Sequence, residues 1–191
     1  KAFVVMDHLF QTEPDFAINC HGLAHLLGED AYRSFSSKQN FNLSSKTSYC
    51  GYGFYHGFME KLLHSKGTLD QARAFCKYVG EKLKDTNSDA ENACYHGIGH
   101  GAVEDVTDPK LFGNPQAIIQ PSLDLCKKVS ANSAQLFRCD TGVFNALEIV
   151  TTQGKYNLSY KDGPLAICKD QPDEYKRACY TQMVVAVMNV T

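Results

Sequence analysis

The chain has 191 residues, 43% of them apolar and 21% charged, an ordinary globular balance that argues against intrinsic disorder. A formal charge of −2 supplies no bulk attraction to nucleic acid or to an anionic membrane surface. The longest apolar runs, such as Val184–Met188, are far too short to span a bilayer, no secretory signal is visible, and Lys1 in place of Met reads as a processed or trimmed chain.

Taken in chain order, residues 1–14 read as an N-terminal extension. A helix is predicted over Asp15–Phe35, holding Cys20, His21 and His25. The Ser/Asn-rich stretch Ser36–Lys46 breaks it, and a second helix follows Cys50 with Tyr52, His56 and Glu60. Leu69–Leu83 predicts a third helix around Cys76, and the segment after Cys94 a fourth, with His96, His100 and Glu104. Thr107–Pro121, with three prolines and Gly113, reads as a loop, followed by helices at Pro121–Val129 around Cys126 and after Cys139. Gly154–Gly163 is a third polar break; Pro164–Cys168 starts a short helix and Tyr175–Asn189 a last one, apolar nearly all round over Met183–Met188. No run alternates as a strand would.

Self-comparison exposes a repeat. Cys50, Cys94, Cys139 and Cys179 recur at a period of about 44 residues. Three residues after each come Gly53, Gly97, Gly142 and Gln182, and seven after come Gly57, Gly101, Ala146 and Ala186. The fourth and eighth places are apolar throughout, from Phe54 and Phe58 to Met183 and Val187. On a helix this sets an apolar stripe beside a stripe of small residues, which lets a second helix approach closely. The units run at about 15–66, 67–106, 120–153 and 163–190 within one domain. The fold class is therefore all-α, a set of disulfide-stapled αα-hairpin repeats in a short solenoid-like or bundled domain. The period, with two helices per unit, resembles HEAT and armadillo solenoids in architecture, without their signature residues.

The repeat gives each hairpin its own staple, which selects Cys20–Cys50, Cys76–Cys94, Cys126–Cys139 and Cys168–Cys179. Sequons at Asn42, Asn157 and Asn189 join the eight cysteines in pointing to a secreted, cell-surface or periplasm-like glycoprotein.

Five of the seven histidines fall in one register. His21 and His25 are four apart with Glu29 four further on, and His96, His100 and Glu104 repeat the spacing. Tyr52, His56 and Glu60 fill the same places in the second unit. Side chains four apart lie one helical turn apart and can grip one ion. The later units carry Thr141, Asn145 and Ile149, then Thr181, Val185 and Asn189. Histidines required for hairpin packing would recur in all four units, so their loss in the last two confines the site to the N-terminal half.

The expected metal site is His21, His25, His56, His96 and His100, with Glu60 and Glu104 as ligands or as supports. Seven groups exceed one tetrahedral set, so one or two ions fit. Imidazole ligands suit several transition metals; copper or zinc is favoured and iron admitted, whereas covalent haem is excluded because CxxCH is absent. Carboxylate-bridged di-iron bundles use Glu-x-x-His, which differs from the order and spacing here. Glu29 reads as a solvated helix charge, His8 and His64 as non-ligands, and Tyr52, Tyr55 and Tyr95 as core aromatics. HExxH, the P-loop, GxGxxG and GxSxG are absent.

The reading is an extracytoplasmic helical metalloprotein, with metal-dependent oxidation or hydrolysis as the natural reaction classes if it is an enzyme. The alternative is a non-enzymatic subunit of an extracellular assembly, self-associating or binding a protein partner through the apolar C-terminal helix. Metal capture or delivery ranks third, because His56 and His100 sit among Phe54, Phe58, Ile98 and Val103 rather than on a polar face.

Overall fold

The computed structural model describes residues 2–37, 43–104, 106 and 108–190, and those residues contain helices and no strand. Among the described residues the α-helices are α1 (Ala2–Thr12), α2 (Pro14–Ser36), α3 (Gly53–His64), α4 (Leu69–Leu83), α5 (Ala90–Glu104), α6 (Pro115–Val129), α7 (Ser133–Thr152), α8 (Ala166–Lys169) and α9 (Asp173–Val190). The N-terminal extension is thus helical over α1.

Local signals set the boundaries. Thr68 and Gln71 form a reciprocal capping box on α4, and the Asn132 side chain accepts from two backbone N–H groups at the start of α7. The expected start of α6 at Pro121 is corrected: Asn114 caps the helix and Pro115 occupies its first turn, so Pro121 lies inside it. Asn followed by Pro is a start signal, because the ring pre-sets φ and its missing N–H would be unpaired there anyway. Beyond Pro121 the helix buries Ser122, Leu123, Cys126 and Val129 along one face.

All four disulfides pair as expected and leave no cysteine free. They close sequence separations from 11 to 30 residues, and loops of that size each contribute about 3 kcal/mol by restricting the unfolded chain. Each staple joins successive helices: α2 to the turn before α3, α4 to α5, α6 to α7, and α8 to α9.

Helices α2, α3, α5, α7 and α9 form a row in which each packs on the next, with α4 and α6 against α5 and one another. Glycines make the row tight. A Cβ on Gly28 would overlap the Phe54 carbonyl, one on Gly57 the His25 carbonyl, one on Gly99 the Cys139 carbonyl and one on Gly142 the His96 carbonyl. Backbone meets backbone at these points, which offsets the roughly 1 kcal/mol that a mid-helix Gly costs relative to Ala. Gly22 differs, with nothing within 4 Å of its Cβ position. Helix α5 is the centre of the molecule and is buried on nearly every side, including Cys94, Ile98, His100 and Val103.

At the C-terminus Met183 and Ala186 are buried, whereas Tyr180, Val184, Val185 and Met188 are exposed. No helix among the described residues is long and apolar enough to cross a membrane. Of the sequons, Asn157 lies exposed in the turn after α7; Asn42, and Thr191 of the third, lie outside the described residues.

Candidate metal centre

The glycines that tighten the row also assemble the site. Gly53 and Gly57 of α3 lie against the carbonyls of His21 and His25 on α2. Gly97 and Gly101 of α5 lie against the backbone of Tyr55 and Glu60 on α3. With the backbones this close, side chains on the flanking positions must interleave. The His21 and His25 rings are each 5.2 Å from the His56 ring, and the His96 and His100 rings are 5.1 and 4.4 Å from it. His56 is therefore the ring shared between the histidine pairs of α2 and α5.

Hydrogen bonding fixes which nitrogens are bare. His21 Nδ1 donates to the Cys50 carbonyl at 2.7 Å. A carbonyl only accepts, so the proton is on Nδ1 and Nε2 carries a lone pair. His25 Nδ1 faces Glu60 Oε2 at 3.4 Å, and His100 Nδ1 lies 2.8 Å from Glu60 Oε1. Thr141 spends its hydroxyl proton on the Arg138 carbonyl, so its oxygen accepts from His96 Nδ1 at 2.9 Å. In His21 and His96 a hydrogen-bonded oxygen holds Nδ1 and leaves the lone pair on Nε2, the arrangement that orients imidazole toward a metal, while in His25 and His100 Nδ1 faces a Glu60 oxygen.

His21 Nε2 and His25 Nε2 stand 3.1 Å apart and share a hydrogen bond in which the bare His21 nitrogen accepts, a spacing that also suits two ligands of one ion. Two nitrogens bound at about 2.0–2.1 Å to one zinc-sized ion stand roughly 3.1–3.5 Å apart. One consequence is unfavourable without a cation: His56 is only 1% exposed, and both its nitrogens are buried without a hydrogen-bond partner. Burial of such groups costs about 1–3 kcal/mol each when nothing satisfies them. His100 Nε2 is buried without a partner as well.

One ligand atom from each of His21, His25 and His56 lies within 4.8 Å of the others, so the three form a group that could hold a metal ion. Burial disfavours the protonated form of His56, His96 and His21. Burial, then the neighbouring imidazoles of His100, His96, His25 and His21, holds the His56 pKa well below 6.5. Burial and His100 push His96 down to about 3, and burial lowers His21 against the opposing Cys50 hydrogen bond. Burial acts to raise Glu60, but hydrogen bonds from His100 and His25 and the charges of both rings outweigh it, holding the carboxylate well below its usual range.

The remaining expected groups lie elsewhere or do other work. Glu104 turns to Lys155 at 3.6 Å, and Glu29 pairs with Arg33. His8 and His64 are exposed on α1 and at the end of α3. Tyr55 is buried and its hydroxyl meets Thr47 at 2.9 Å. Tyr52 precedes α3 in a left-handed backbone conformation, with φ of 63°, rather than starting the helix.

Sequence reasoning missed the groups that support and surround the imidazoles: the Cys50 carbonyl, Thr141, Asn145, Arg138 and Gln182. Thr141 and Asn145 were findable, because they occupy the repeat places of His96 and His100. A cavity of about 310 Å³ is lined by His21, His56 and His96 together with Tyr52, Arg138, Asn145 and Gln182. No family model, curated protein or solved structure matches the chain significantly, so the functional reading stands on this geometry.

Proposed function

We propose that the protein is an extracytoplasmic metalloprotein in which His21, His25 and His56 hold a transition-metal ion, copper or zinc. The observation that carries this is His56, whose two buried nitrogens have no partner while a nitrogen of each of His21 and His25 lies within 4.8 Å. The hydrogen bond between His21 and His25 satisfies that pair but leaves His56 and His100 Nε2 without a partner. A metal ion satisfies His56 as well. Glu60 orients His25 and His100, Thr141 orients His96, and Glu104 is left outside the ligand set. His96 and His100 stand ready for a second ion with the other nitrogen of His56.

Three protein ligands leave a coordination position free, and the cavity beside His56 gives it access. A bound ion there would supply Lewis-acid chemistry, or redox chemistry if it is copper, which supports oxidation or hydrolysis as the reaction class. Four disulfides support an oxidising compartment, and the exposed Asn157 supports glycosylation there.

Competition of the chelator-treated protein against a chromophoric chelator, with zinc and then copper, tests the reading. One or two equivalents should bind, and His25→Ala should lose at least one. Binding of neither ion by folded protein, or unchanged binding by His25→Ala, would refute it.

A second reading, self-association through α9, is favoured by the exposed stripe Tyr180, Val184 and Met188 at successive turns. Light scattering across a concentration series checks it, and a monomer at every concentration would count against it.

A further inference from the structure

We infer that the cavity beside the imidazoles is a binding site for a small anion, recognised by the Arg138 guanidinium and the amides of Asn145 and Gln182, with the open metal position as its inner contact. The inference rests on the metal reading and names the ligand class that this site takes.

The charge of the lining carries it. His21, His56 and His96 face the cavity from α2, α3 and α5, and Arg138, Asn145 and Gln182 close it from α7 and α9. Among the described residues that line it, none is a carboxylate. Arg138 is the one permanently charged side chain among the lining residues. A divalent ion on the imidazoles adds to that charge, and a low-dielectric wall concentrates its field on the cavity. Cationic ligands are thereby repelled and small anions attracted.

Arg138 is braced for the task. One guanidinium nitrogen pairs with Asp89, which does not itself line the cavity. A guanidinium carries five N–H donors, so one such pair leaves others for a ligand. The Asn145 side chain already hydrogen-bonds His96, an interaction that uses its oxygen, so its NH2 group and that of Gln182 remain to donate to an acceptor. A volume of about 310 Å³ suits a small carboxylate or oxyanion rather than a polymer segment.

The test uses the full chain loaded with copper(II) and titrated with azide, followed by its charge-transfer absorption, with formate as the competing carboxylate. Metal content is measured on each sample. Azide should bind, formate should displace it, and methylammonium at equal concentration should do nothing. Arg138→Gln should weaken azide at least about tenfold, the contribution of one charge-assisted hydrogen bond, with copper content unchanged. Asp89→Asn removes the brace but keeps the guanidinium, and should bind azide at least as tightly as the parent. Copper retained with azide affinity equal in parent and Arg138→Gln would overturn this inference alone. A folded chain that holds no copper would overturn the metal reading and the inference with it.

Discussion

Helices α5 and α7 are neighbours built on one frame, and they differ in what they carry. Each holds a disulfide cysteine, Cys94 and Cys139, and each meets the other through a glycine set against a carbonyl, Gly99 on Cys139 and Gly142 on His96. At matching places after the cysteine, α5 has His96 and His100 where α7 has Thr141 and Asn145. Since α7 packs as closely as α5 without a histidine there, imidazole is not what the helix contact requires. Glycine and the staple make the packing; the histidines are an addition to it. The α7 residues have a complementary duty, with Thr141 fixing the His96 tautomer through its oxygen.

Acidification should break the comparison most forcefully, because the two helices titrate in opposite senses: burial lowers the imidazoles of His56 on α3 and His96 on α5 but raises the Asp140 carboxyl on α7 to about 7, so that protonation of Asp140 favours the native state as pH falls. His56 and His96 have pKa values lowered from 6.5, so below about pH 6.5 the unfolded chain takes up protons that the native state refuses. Their contribution is intact above pH 6.5 and drains away as pH falls toward about 3, where His96 itself protonates. Glu60 works in the same direction at lower pH, its depressed carboxylate favouring the native state only while the unfolded one is ionised. Thermal melts of chelated protein should show a net loss of stability from pH 6.5 downward, because the lowered imidazoles of His56 and His96 outnumber the one raised carboxyl of Asp140, and Asp140→Asn should steepen it; a flat profile to pH 4 in Asp140→Asn would mean that the rings are not held neutral.

Gly142→Ala attacks what the two helices share. Its Cβ would collide with the His96 carbonyl, so α5 and α7 must part. Overpacking against backbone should cost about 3 kcal/mol in denaturant titrations, and metal binding should weaken with it. Parent-like stability would show that the contact can relax.

Glu60→Gln separates support from packing. The carboxylate accepts from both His25 and His100, and an amide can accept at only one of its two atoms. Metal affinity should fall about 10–100-fold while the metal-free fold is retained. His56→Leu should have the smallest effect on the chelated protein and an instructive sign. It removes two unpartnered buried nitrogens, so stability should rise by about 1 kcal/mol. Destabilisation would instead give His56 a packing role.

Much of this was legible in the sequence because repetition encodes contacts. The cysteine spacing selected the four pairings that the structure contains, and the glycines at set places after the cysteines marked where helices touch. The histidine register picked out the five rings that come together. What the sequence hid depends on tertiary direction. Glu104 continues the His96 and His100 spacing, yet it lies at the end of α5, where Lys155 from the following turn reaches it. The Cys50 carbonyl has no side-chain signature at all, although it sets the His21 tautomer. Pro121 read as a boundary because proline opposes helix locally, whereas the buried face of α6 continues through it. Thr141 and Asn145 read as losses from the repeat, since nothing in one strand of sequence says that a missing ligand has become a support.

The most direct measurement is elemental analysis by mass spectrometry of protein purified without chelator, beside His56→Leu of verified fold. The account predicts one or two equivalents of a single transition metal in the parent, with at least one equivalent missing from the variant. Folded parent protein without stoichiometric metal, or a variant that retains all of it, would contradict the claim that the buried imidazoles form a metal centre.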